Sequence, residues 1–410
     1  MNLAEAFREC WETLAPIGRE PRTGGYRRFA WTEADSACRD WFVNAARSRG
    51  LDVATDRNGN LQAWWDVGEG PRRDAVVTGS HLDSVPDGGA FDGPLGVVSG
   101  LLAIDLLRSR GLQPRRPVAV AVFADEEGAR FGLSCVGSRL AAGTVNPDAA
   151  RALVDSAGVT LVTALAHAGI DPAGLGRDDQ LIGAMGAFVE LHIEQGRSLV
   201  DSDAAVGVAT AIWPHGRWRL DFAGEVNHAG TTRLEDRRDP MLPFAQTVLA
   251  ARSAAARAGG VATIGRVQVE PNGTNAVPGV VHAWLDARAA GEPAMRRIVA
   301  EVERAARAAA APHGVTVTLT QESATPDVQL GGELRDRVVA GLAERGIHAP
   351  LLPTGAGHDA GILAAVTPAA MLFVRNPTGV SHSPAESASP EDCLAGIEAL
   401  AVVVETLACR

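Results

Sequence analysis

The chain has 410 residues, 46% of them hydrophobic and 21% charged, which excludes a disordered polymer and allows a large core with a soluble surface. Its 38 basic side chains are all arginine and are outnumbered by 49 acidic ones, giving a net charge of −11. That balance argues against nucleic acid or an anionic membrane as the main partner, and the lack of lysine removes Schiff-base, P-loop and serine–lysine chemistry.

At roughly 150 residues per domain, two or three domains are expected. The N-terminal residues 1–18 predict a short amphipathic helix without the basic start and apolar run of a signal peptide. No stretch approaches the ~18 apolar residues of a membrane span. Cys10, Cys38, Cys135, Cys393 and Cys409 are scattered and never spaced C-x-x-C, a usage that fits a reduced, cytoplasmic protein with unpaired thiols. Apolar, partly β-branched runs at 74–81, 118–127, 187–196 and 369–376 each end in polar residues. Between the first two, residues 94–111 carry an apolar stripe at helical spacing, opened by Pro94 and closed by Gly111. This β–α–β order predicts an α/β fold with a mostly parallel sheet under helices, and ligands at the carboxyl ends of its strands. Residues 215–322 instead read β-α-β-β-α-β, a split βαβ (ferredoxin-like) sandwich. The expected division is a larger domain from 1–212 and 323–410 and an inserted one at 213–322.

Chemistry-bearing residues gather at the predicted strand ends. In GSHLDSVPDGGAFDGPLG (79–96), His81 closes a strand, Asp83 follows, and Asp92 sits in a glycine-rich turn before a helix. Imidazole with carboxylate is a zinc ligand set, and glycine lets backbone approach a ligand closely. In ADEEGARFG (124–132), three consecutive acids close an apolar strand, where they would repel one another without a cation. One of them can bind metal while its neighbour takes a proton from water. In ELHIEQG (190–196), His192 and Glu194 are expected on one strand face, with Gln195 at the end. VNHAGTTRLEDRRDP (226–240) carries His228, and TGVSHSPAE (378–386) carries His382 after a strand. His81, Asp92, Glu127, His192 and His382 together suffice for two metals with a bridging carboxylate.

These motifs, with VEPNGTNAVPG and GAGHDA in the same order along essentially the whole chain, resemble the zinc-dependent M20 metallopeptidase clan. The resemblance is to its amidase branch, which includes allantoate amidohydrolase, N-carbamoyl-L-amino acid hydrolase and β-ureidopropionase. It implies two divalent metal ions per subunit, zinc first, with manganese, cobalt or nickel as alternatives. His81 and His192 would bind one ion, Glu127 and His382 the other, and Asp92 would bridge them. Glu126 would be the general base and Asp83 would orient His81. His228 would stabilise the oxyanion from the inserted dimerisation or lid domain, often of the other subunit, so that a homodimer has composite active sites. Gln195, Asn275, Arg288 and His358 would bind substrate, with His358 and Asp359 on the second metal's side. A guanidinium such as Arg288 suits a free carboxylate.

The reaction implied is cleavage of a non-peptide C–N bond in a ureido, N-carbamoyl or N-formyl amino-acid-like small molecule. Allantoate or an N-carbamoyl-L-amino acid ranks first, and carbamoyl substrates release ammonia and carbon dioxide. The alternatives are an N-formyl-L-glutamate or other N-acyl deacylase or dipeptidase of the same clan, and an inactive metal-stabilised binding protein.

Overall fold

The computed structural model describes residues Met1–Cys409. The chain divides into two compact units: Met1–Thr210 with Leu330–Leu352 and 357–410, and Ala211–Gln329 with Pro353–Ala356. The second unit starts two residues earlier than the sequence suggested and ends seven later, because the strand Thr316–Thr325 runs on and is followed by the short strand Val328–Gln329.

The first unit is built on one mixed sheet. Its four central strands, Val118–Phe123, Ala75–His81, Met185–Ile193 and Ala369–Val374, lie side by side and parallel. Antiparallel strands flank them: Leu61–Trp65 beside Val118–Phe123, and Val206–Ile212 beside Ala369–Val374. Val118–Phe123 and Ala369–Val374 are buried at every position, as continuous apolar runs in a sheet covered on both faces require. The helix Pro94–Ser109 starts with proline in its first turn, just after Gly93 at φ +86°. It buries almost all of its length, and the helix Pro390–Val404 joins it in the main core cluster. Among the described residues, no helix is long and apolar enough to cross a membrane.

The second unit is the split βαβ sandwich. Its four-stranded antiparallel sheet runs in the order Thr316–Thr325, His215–Ala223, Val280–Arg288, Val261–Glu270. Along Val280–Arg288 alternate residues are buried. Val281, Ala283, Leu285 and Ala287 form a core with Ile298 and Val302 of the helix Glu292–Ala310 and Ala251 and Ala254 of the helix Met241–Ala258. The period of two in the strand meets the three-to-four spacing of the helices, and this fixes the two layers.

Candidate metal centre

Three parallel strands end at one point. Ala75–His81 delivers His81, Met185–Ile193 delivers His192, and the turn after Val118–Phe123 delivers Glu126 and Glu127. Asp92 comes from the glycine-rich loop before Pro94–Ser109, and His382 from the loop after Ala369–Val374. Asp92 lies between two groups of candidate ligands. Its Oδ1 is 3.5 Å from His81 Nε2 and 3.2 Å from His192 Nε2, and its Oδ2 is 3.5 Å from His382 Nε2. His382 Nε2 is in turn 3.6 Å from Glu127 Oε2. The trios His81–Asp92–His192 and Asp92–Glu127–His382 each bring their ligand atoms within 4.8 Å of one another and share Asp92.

The residues fit divalent cations. Buried His81 Nε2 and His192 Nε2 have no hydrogen-bond partner, although each nitrogen faces the Asp92 carboxylate. A buried polar atom without a partner is costly, so an ion that accepts its lone pair explains the arrangement. The charges agree. Burial would raise the Asp92 carboxyl, but the nearby His192 and His81 outweigh it, His192 foremost, and hold Asp92 well below the usual carboxylate range. Burial and then the Asp92 charge push Glu127 up to about 8, and burial also pushes Glu126 well up, against the opposing pull of His81. Burial lowers His81 and His192, but neighbouring acids more than compensate, Glu126 foremost for His81 and Asp92 for His192, so both stand above their ordinary value. These raised imidazoles and carboxyls mark a cluster whose charges a bound cation would compensate.

The surroundings hold the ligands in position. His81 Nδ1 bonds the Asp83 carbonyl oxygen at 3.1 Å and lies 3.6 Å from its carboxylate. That carboxylate accepts the backbone N–H of Glu126 at 3.1 Å and of Glu127 at 3.0 Å, so Asp83 ties the first histidine to the two-glutamate turn. Gly93 leaves room for the His81 ring, which any Cβ there would strike. His382 sits at φ +54°, a left-handed conformation that costs a residue with a side chain.

Gln195 stands at the same point. Its Nε2 donates to Asp92 Oδ2 at 2.8 Å and Ser381 Oγ at 3.0 Å, and its Oε1 is buried without a donor. His358 lies against His192, with ring centroids 4.5 Å apart, so it stands beside the first trio and not on the second metal's side. Its loop is turned there by Glu190, which accepts the Ala360 N–H at 2.9 Å and the Ser80 hydroxyl at 2.8 Å. Glu190, not Glu194, shares the strand face with His192. Glu194 follows the strand and accepts the N–H groups of Ser198 and Leu199 at the start of a short helix. Sequence reasoning missed Glu190, Glu386 and Cys135. For Glu190 a signal existed, two positions before His192 in an apolar strand.

The remaining residues belong to the second unit. Asn275 accepts the Ala229 N–H through its carbonyl, and Ala276 pairs with His228. His228 Nδ1 accepts two backbone donors, Gly230 N–H at 3.0 Å and Thr231 N–H at 3.2 Å. A nitrogen that accepts twice carries no proton, so the ring hydrogen is on Nε2. Arg288 forms a bidentate pair with Asp286, at 2.8 and 3.1 Å, and donates to the Gly355 carbonyl at 2.7 Å.

A mainly parallel sheet whose strand ends bring two imidazole-and-carboxylate trios onto one shared aspartate forms a candidate metal centre. Residues 77–406 match the family model of Peptidase family M20/M25/M40, and the chain belongs to that family. It is 36% identical to the N-carbamoyl-L-amino acid amidohydrolase of Geobacillus stearothermophilus, over 96% of each chain. It is 32% identical to the allantoate amidohydrolase of Escherichia coli K12, over 99% of this chain and 98% of that one. The crystal structure of a hydantoinase/carbamoylase family amidase from Burkholderia vietnamiensis superposes with a TM-score of 0.87 at 32% identity, over 99% of this chain and 98% of that one.

Proposed function

We propose that the protein is a metal-dependent amidohydrolase that cleaves the C–N bond of a ureido or N-carbamoyl group on a small carboxylate, allantoate or an N-carbamoyl-L-amino acid first. The observation that carries this reading is the shared Asp92 between two ligand trios with Glu126 beside them, Oε2 being 3.7 Å from His81 Nε2. The two relatives above, similar over nearly the full chain, support the substrate class. His81, Asp92 and His192 would hold one divalent ion and Asp92, Glu127 and His382 the other, zinc first. When bound, such ions polarise the scissile carbonyl and lower the pKa of water.

The chain's own groups do the rest. Glu126 takes the proton of the attacking water and passes it to the leaving nitrogen. His228, with its hydrogen on Nε2, donates to the oxygen that becomes negative. Gln195 offers its free Oε1 to a substrate N–H. Arg288 and Asn275 receive the carboxylate, Arg288 by exchanging its Asp286 pair for the substrate. The carbamate released from a carbamoyl group decomposes to ammonia and carbon dioxide.

We read the working form as a cytoplasmic homodimer in which His228 of one copy serves the other copy's ligands. Mixing His228→Ala and Glu126→Gln subunits restores activity in that case and not otherwise. The substrate is tested with metal-reconstituted protein on allantoate, N-carbamoyl-L-amino acids and N-formyl-L-glutamate, with Glu126→Gln as control. Turnover of the ureido substrates, lost in the control by about 10²–10⁴-fold at unchanged metal content, is expected. Preference for N-formyl or dipeptide substrates would refute the ureido assignment.

A further inference from the structure

The turn that presents Glu126 is closed by a cysteine. After Val118–Phe123 the chain runs through Asp125, Glu126 and Glu127 and returns to the helix Val136–Ala142, with Cys135 at its start. Cys135 is buried and sits at φ +55°, a left-handed conformation that costs a residue with a side chain. Its backbone N–H donates to the Glu126 carbonyl at 2.7 Å, and its Sγ lies 3.2 Å from Glu126 Oε1. Burial and then the Glu126 charge push this thiol well up, so it is an S–H donor and not a thiolate. Among the described residues it is the only hydrogen-bond donor to the Glu126 carboxylate. The other oxygen, Oε2, is the one on the His81 side.

A general base needs a fixed direction and an unspent lone pair. A strong donor such as arginine would fix the carboxylate but draw off its basicity, whereas a thiol is a weak donor. We propose that Cys135 is a positioning residue for the base: its S–H holds Glu126 through Oε1 and leaves Oε2 to take the proton. This rests on the reading of Glu126 as the base. The backbone bond from Cys135 survives any side-chain change, so the thiol's contribution can be isolated.

Two measurements on the metal-loaded protein decide it. In steady-state kinetics, Cys135→Ala lowers kcat about 3- to 10-fold at unchanged KM, metal content and melting temperature, and Cys135→Ser, which restores a donor of similar size, recovers most of the loss. An unchanged kcat in Cys135→Ala overturns the proposal. So does a loss that serine does not recover and that follows melting temperature, because that marks packing alone. The second measurement needs no substrate, so it separates this proposal from the assignment of the reaction. The infrared S–H band that disappears in Cys135→Ser is expected at lower frequency than those of the other thiols, and it rises in Glu126→Ala. A band that does not move with Glu126 shows that the thiol does not hold the carboxylate and overturns the proposal.

Discussion

Glu386 accepts the backbone N–H of Asp92 at 3.0 Å across 294 residues of sequence, and the same Oε1 accepts Phe91 N–H at 3.0 Å. The contact needs bare backbone opposite, because a Cβ on Gly89 would strike the Glu386 carboxylate. Burial and then the Asp92 charge push this carboxyl up to about 7. Glu386 thus clamps the loop that carries the shared ligand. Glu386→Ala should weaken metal retention about 10- to 100-fold, while Glu386→Gln, which keeps the acceptor oxygen, should stay within a few-fold of wild type. Competition with a chromophoric chelator reads this, and equal retention in the alanine variant would show that the loop stands without the clamp.

The sharing of Asp92 makes the two ligand trios unequal to mutation. Asp92→Ala removes a ligand from both, whereas Glu127→Ala removes one only from the Asp92–Glu127–His382 trio. Elemental analysis after desalting should find close to no bound metal in the first variant and about half the wild-type content in the second. Equal losses in both variants would mean a single ion.

The tautomer of His228 separates two substitutions of similar polarity. Gln carries its side-chain N–H at the reach of histidine Nε2, and Asn carries it at the reach of Nδ1, which here only accepts. His228→Asn and His228→Ala should each lose about 10²–10³ in kcat, with His228→Gln retaining roughly tenfold more than either. Asn retaining more than Gln would place the working hydrogen on the wrong nitrogen.

Asp359 makes stability depend on pH. Its Oδ2 has no partner, and burial, followed by the Glu190 charge, pushes its carboxyl up to about 8. In the unfolded chain it titrates near 4. The folded state therefore binds one more proton between these values, so stability is full below about pH 4 and is lost as pH rises to about 8. Asp359→Asn mimics the protonated acid. In urea denaturation of the metal-free protein it should exceed wild type by roughly 1–3 kcal/mol at pH 9, and the gain should vanish towards pH 4. A constant difference across pH would mean that Asp359 is not the titrating group.

Much of the arrangement was legible in the sequence because the candidate ligands lie where apolar runs stop. His81 and His192 each come at or near the end of a buried strand, and a β–α–β pattern dictates that such ends meet. The inserted sandwich was equally readable, since its strands and helices change period at clear turns. Glu190 and Glu386 were not readable in their roles. A buried acid and a solvated acid look alike in sequence, and what separates them here is a donor far along the chain, such as Ala360 N–H for Glu190. The position of His358 failed for a related reason: nothing local to GAGHDA says which side of Asp92 its loop will reach.

The strand Ala369–Val374 is the last of the four parallel strands and lies inside the mixed sheet, paired parallel with Met185–Ile193 on one side and antiparallel with Val206–Ile212 on the other. During synthesis from the N-terminus, that slot stays open until Ala369–Val374 itself has been made, after both of its neighbours. His81, Asp92 and His192 emerge long before His382 does, and the inserted sandwich is made in between. A chain terminated before Ala369 thus lacks a central strand as well as the candidate ligand His382. Completing the sheet and completing the metal trio are then one event, late and built on long-range contacts, the kind that forms slowly.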